Sequence, residues 1–199
     1  GIHEELELFT KSITEQDTWR EGWKAVLGTI KFDSEKMSSD ILERLKKLLF
    51  LLQPQTLVEE SEFYVLTGDS YFDVFDNLDV GNGNMIAKNV ENLGRKVSVD
   101  ENALNILLPK LLINTGPGLF DFGRGLAQGE SPKMIWDLIC GNLTSQGNQE
   151  YNYQLLRGYL NGLSEIDRQL TNQLLDQALE SELLSIVYPL LQSSIKFTD

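Results

Sequence analysis

Two stretches near the C-terminal end read almost alike and constrain the fold more than anything else in the chain. Arg124-Gly125-Leu126-Ala127-Gln128-Gly129 is followed by Ser131, and thirty-three residues later Arg157-Gly158-Tyr159-Leu160-Asn161-Gly162 is followed by Ser164. In each copy an apolar helical stretch reaches a Gly, and a Ser then opens a second one. A unit that cannot bury its apolar face alone and recurs at a fixed period is the mark of stacked helical hairpins. Gly125 and Gly158 sit inside their helices, where Gly costs about 1 kcal/mol relative to Ala, so a neighbouring helix crossing close to bare backbone is expected to compensate. Gly129 and Gly162, just before the Ser, are expected as left-handed caps closing the first helix of each hairpin.

Helical periodicity runs through the remainder. Ile2, Leu6, Phe9 and Ile13 predict a first amphipathic helix; Trp19, Trp23, Val26, Leu27 and Ile30 predict a second from about Asp17 to Lys31, its Trp residues anchoring a core. Asp33–Ser39 is a polar loop, and Asp40 is expected to cap a helix whose inner face is Ile41, Leu42, Leu45, Leu48, Leu49 and Leu52. Pro54 stops it. Thr56-x-x-Glu59 and Ser98-x-x-Glu101 both match the reciprocal capping box. Between them, Asp69 is expected to cap a short helix, Gly81–Asn84 is read as a loop, and Met85 to Gly94 as a further helix. Pro109 is expected to kink or divide the helix after Ser98. Helices then follow at about 118–128, 132–144, 150–162, 165–180 and 182–195, with Pro132 at a first helical position, a capping-box-like Ser164-x-x-Asp167 and a bend at Pro189.

The expected fold is therefore all-α: about eleven helices in antiparallel hairpins, a right-handed α-solenoid-like array forming one domain over 1–199, less regular over 1–115 and repeated over 116–199. The repeated hairpins of 116–193 resemble the loosely patterned repeats of HEAT, armadillo and tetratricopeptide type, though without the tetratricopeptide Trp…Leu-Gly…Tyr pattern. The style of the helices is also similar to that of segments in large multidomain bacterial proteins, including anti-phage NTPases. The first resemblance implies a scaffold; the second implies a regulatory or sensor domain. A chain opening on Gly1-Ile2 is read as a segment of a longer protein.

Charge excludes one class of function. The chain carries 30 acidic against 17 basic residues, net −13. Residues 1–100 hold 19 and 11 and residues 101–199 hold 11 and 6, so neither half conceals a basic face of the kind nucleic-acid binding needs. No apolar run approaches the length of a membrane span. The single Cys140 rules out an internal disulfide and fits a reducing, cytoplasmic compartment.

Little in the sequence supports catalysis. The one histidine, His3, lies in a terminal helix, far from the rigid elements on which triads are held. Cys140 beside Ile139 reads as a buried, inert thiol. Gly81-Asn82-Gly83-Asn84 lacks the Gly-Lys-Ser/Thr end of a phosphate loop. No cofactor or metal is called for.

The most unusual local feature is acidic. Gln53 to Ala87 contains no Lys or Arg but holds Glu59, Glu60, Glu62, Asp69, Asp73, Asp76 and Asp79. It reads first as a solvated face, second as a docking surface for a basic partner, and last as a metal or catalytic site. The expectation is a non-catalytic interaction or scaffolding module of a larger cytoplasmic protein, its partner another protein or another domain of the same chain. The competing expectation is an all-α ligand-binding or catalytic domain that uses carboxylates.

Overall fold

The computed structural model describes residues 20–66, 83–145 and 150–195. Among them are ten α-helices and no strand, so the class is all-α. They are α1 (Arg20–Asp33), α2 (Ser39–Leu52), α3 (Leu57–Leu66), α4 (Gly83–Val97), α5 (Glu101–Ile113), α6 (Leu119–Leu126), α7 (Pro132–Ser145), α8 (Gln154–Ile166), α9 (Arg168–Glu180) and α10 (Glu182–Gln192). A single 3-10 turn, Ser34–Lys36, follows α1. The helices expected at Ile2–Ile13 and after Asp69 lie outside the described residues.

The chain divides into two compact units, Gly1–Glu59 and Glu60–Asp199. In the first, α1 packs on α2. Each contributes an i, i+4 pair of buried side chains, Trp23 and Leu27 from α1 and Leu48 and Leu52 from α2, the spacing at which helical side chains share a face. The cap of α2 is Ser38, whose hydroxyl accepts from the Ile41 amide, and not Asp40. Asp40 is the second helical residue and pairs with Arg44 at 3.2 Å. Two residues two positions apart competed for one cap, and the one that precedes the first turn took it. At the start of α3 the capping box is complete: the Glu59 amide donates to the Thr56 hydroxyl at 3.2 Å, and the Glu59 carboxylate accepts from the amides of Thr56 (3.3 Å) and Gln55 (2.8 Å).

In the second unit, α4, α6 and α8 stand in one row with α6 in the middle, while α5 packs against α7 and α9 against both α8 and α10. The core is rich in leucine, with Phe63, Phe122, Trp136 and Tyr159 buried among the aliphatic side chains. In α5, Ala103, Leu104, Leu107, Leu108, Leu111 and Leu112 are all buried, each Leu worth about 1.5–3 kcal/mol of transfer free energy. Pro109 does not divide this helix, which runs unbroken from Glu101 to Ile113. The carbonyl that Pro109 leaves without a donor is that of Asn105, an exposed residue, so water can replace the lost bond. The second expected capping box does not form. Asp100 caps α5 through the Ala103 amide at 3.0 Å, whereas the buried Ser98 donates back to the Arg95 carbonyl.

The two copies of the repeated segment differ in structure. The first spans the end of α6, where the amides of Gln128 and Gly129 tighten into bonds to Gly125 and Leu126. The second lies wholly inside α8, which continues past Gly162 and Ser164 to Ile166. Ser164 therefore caps nothing; Asp167 caps α9 through the Leu170 amide at 2.9 Å.

Candidate functional site

The repeated glycines mark a seam where three helices meet backbone to backbone. A Cβ on Gly125 would stand well under 3.0 Å from the Glu91 carbonyl oxygen of α4, and one on Gly158 equally close to the Phe120 carbonyl of α6. Gly94 and Gly123 belong to the same seam, facing the carbonyls of Phe122 and Leu155. Gly162 faces the Arg124 carbonyl, 2.8 Å from where its Cβ would be. Where each Cβ would stand the glycine carries only a hydrogen, aimed at a carbonyl oxygen, and such Cα–H···O contacts add about 0.5–1 kcal/mol each.

The glycine expectations need correcting in one respect. Neither Gly129 nor Gly162 has a left-handed φ. Gly162 is interior to α8, and Gly129 lacks a side chain because Ser98 occupies the space, its hydroxyl 2.6 Å from the Cβ position. Gly94, expected near a helix end, is likewise interior to α4. Gly123 carried no signal beyond being a glycine in an apolar helix.

A ladder of polar side chains runs along the row. Arg124 of α6 reaches the Asn161 side-chain oxygen at 2.6 Å and the Glu165 carboxylate at 3.0 Å, both on α8, and the Glu91 carboxylate of α4 at 3.5 Å. Gln128 donates to the same Glu91. Asn161 passes the chain onward, donating to the Ser194 carbonyl at 2.6 Å. Nearby Asp121 has its carboxyl held above the ordinary range, chiefly by burial; Arg124 opposes this and Glu91 adds to it.

Arg157 is the counterpart of Arg124 in the second copy, and its company is different. Its Nε donates to the Ser194 hydroxyl at 2.9 Å and one terminal nitrogen to the Gln154 side chain at 3.3 Å. Both partners are neutral. Arg157 lines an open groove of about 310 Å³ together with Tyr151, Asn152, Tyr153, Ile113 and Leu190. Tyr151 and Asn152, in one wall, are held by three hydrogen bonds. The Asn152 amide donates to the Leu112 carbonyl at 2.7 Å, its side chain to the Asn114 carbonyl at 3.1 Å, and the Tyr151 hydroxyl to the Leu143 carbonyl at 2.6 Å.

The acidic stretch does not assemble into a common face among the described residues. Glu59 is occupied as a cap, and Glu62 pairs with Lys110 at 2.8 Å. Glu60 lines a groove with Tyr64, Asn89, Asn92, Arg95 and Lys96, and its charge adds to the burial that raises the Tyr64 hydroxyl. Asp69, Asp73, Asp76 and Asp79 lie outside the described residues, as does His3. Cys140 is half-buried in a cleft of about 210 Å³ with Trp136, Asp137, Leu143, Gln177 and Leu184. Burial, then the Asp137 carboxylate, push its thiol up to about 11, the reverse of what activates a nucleophile.

No protein-family model matches the chain, and neither a curated protein nor a solved structure does. Among the described residues no helix is long and apolar enough to cross a membrane.

Proposed function

We propose that this chain is a non-catalytic protein-interaction module: a solenoid-like stack of helical hairpins, with α4, α6 and α8 as the first helices of successive repeats, that presents a groove to a protein partner. The observation that carries the reading is the groove at Arg157. It is open, lined by Tyr151, Tyr153, Ile113 and Leu190 together with polar side chains around Arg157, and Tyr151 and Asn152 in its wall are held by backbone and side-chain hydrogen bonds, so little ordering entropy is lost there on binding. A catalytic or small-ligand site would instead favour an enclosed pocket. The cleft at Cys140 offers one carboxylate, Asp137, beside a thiol held protonated. The partner is a cytoplasmic protein or another domain of the same polypeptide, as a regulatory domain in a multidomain bacterial NTPase would require. The acidic stretch Gln53 to Ala87, read from its sequence alone, is the alternative docking segment for a basic partner.

Site-specific photo-cross-linking in cells that express the protein tests this reading. A benzophenone side chain at Leu190, 40% exposed on the groove, is expected to trap one or a few discrete proteins or an adjoining domain. The same group at Glu101, exposed at the start of α5, should not. Equal, diffuse labelling from both positions would refute the reading.

A further inference from the structure

The two arginines at equivalent places in the repeated segment have opposite electrostatic surroundings. Arg124 is neutralised twice over, by Glu91 and Glu165. Arg157 has no carboxylate at ion-pair distance among the described residues, in a chain of net charge −13. Its guanidinium is nevertheless positioned, because Ser194 and Gln154 hold two of its nitrogens. A guanidinium has five donor hydrogens in a fixed fork, so, counted against the described residues, donors remain for a ligand. They are offered from a side chain whose rotamer entropy is already spent.

The rest of the groove narrows the ligand. Ile113 and Leu190 are 42% and 40% exposed, large aliphatic side chains flanking the cation. Tyr151 and Tyr153 meet edge to face, with ring centroids 6.4 Å apart, and add an aromatic wall. Glu150 also lines the groove. A polyacidic run would be repelled there, whereas one isolated carboxylate placed on Arg157 would not.

We infer that this groove docks a peptide segment with a single Asp or Glu beside a large aliphatic residue, the carboxylate bonding Arg157 and the aliphatic side chain resting on Ile113 and Leu190. The inference rests on the interaction-module reading and gives it a partner chemistry. The acid in the ligand takes the place that Glu165 takes at Arg124. A charge-assisted, forked bond to carboxylate is the geometry for which arginine is suited.

Panning a phage-displayed random dodecapeptide library against the whole chain tests it. Selected peptides are expected to share one acidic residue within three positions of Leu, Ile or Phe. Their affinity should fall about tenfold or more in Arg157→Gln, the worth of one charge-assisted hydrogen bond. Arg157→Lys, which keeps the charge without the fork, should recover part of it. Because Arg157→Gln also loosens the Ser194 contact, Leu190→Ser provides a second arm: that side chain takes no part in holding Arg157, and the variant, with its helical fold checked by circular dichroism, should still weaken binding severalfold. Peptides without an acidic residue, or ones bound equally by the parent and Arg157→Gln, would overturn the inference while leaving an interaction module standing. A panning that returns no peptide counts against both.

Discussion

The seam makes a sharp prediction about alanine. In an exposed helix interior Gly→Ala stabilises by about 1 kcal/mol, through the backbone freedom removed from the unfolded chain. At Gly125 and Gly158 the new methyl would meet the carbonyl oxygens of Glu91 and Phe120 well inside 3.0 Å. An ordinary C···O contact is about 3.3–3.6 Å, so the helices would have to part by a substantial fraction of an ångström. No side chain can swing aside, because the obstacle is main chain. Overpacking of this kind costs about 1–3 kcal/mol, and an unyielding neighbour belongs at the top of that range. Set against the propensity gain, the net loss is about 2 kcal/mol per site, or about 4–8 °C in melting temperature for a chain of this size. Gly28 in α1 and Gly141 in α7 are internal controls, since a Cβ on either meets nothing within 4 Å. Gly28→Ala and Gly141→Ala should therefore shift urea midpoints upward while Gly125→Ala and Gly158→Ala shift them downward. Urea melts of the four variants decide the matter. If all four move in the same direction, or if Gly125→Ala is as stable as the parent, the backbone-to-backbone crossing is wrong.

Two further outcomes follow from the ionisable groups. Burial raises the Asp121 carboxyl in the folded chain, so the native state binds its proton more tightly than the unfolded state does. Folding is then penalised above the raised value and relieved as pH falls through it towards the unfolded value near 3.9. Asp121→Asn should raise the melting temperature at pH 7 and lose that advantage by about pH 4; an advantage that grows on acidification would contradict the assignment. For Cys140, a thiol pushed up to about 11 is only about one part in a thousand thiolate at pH 8, against about a quarter for a free thiol. A more basic thiolate is also a better nucleophile, so reaction with a disulfide reagent should be about twentyfold slower in the native chain than in urea, and equal native and unfolded rates would refute it.

What could be read from the sequence was whatever the chain settles locally. Thr56 and Glu59 form their capping box because both halves lie within one turn and nothing distant competes. Ser98-x-x-Glu101 is the same pattern and fails. Ser98 is buried beside the position Gly129 leaves bare, and Asp100, two residues on, is free to cap α5. The same ambiguity misplaced Gly162 and Ser164. A glycine followed by a serine reads as stop and start, yet a glycine needed for close packing looks identical in the letters. The helical class was legible from periodicity, and a close crossing at Gly125 and Gly158 from the cost they carry twice. The groove was not. Arg157 looks like any surface arginine until Ser194, thirty-seven residues away, is seen to hold it, and the residues facing it come from three separate stretches of chain.

Helices in most proteins slide past one another by exchanging side-chain rotamers, a lubricating layer a few ångströms thick that absorbs small displacements. Between α4, α6 and α8 that layer is missing at five positions, where carbonyl oxygens stand directly against glycine. A displacement of α4 against α6, or of α6 against α8, therefore meets main chain at these positions and has no side chain there to absorb it.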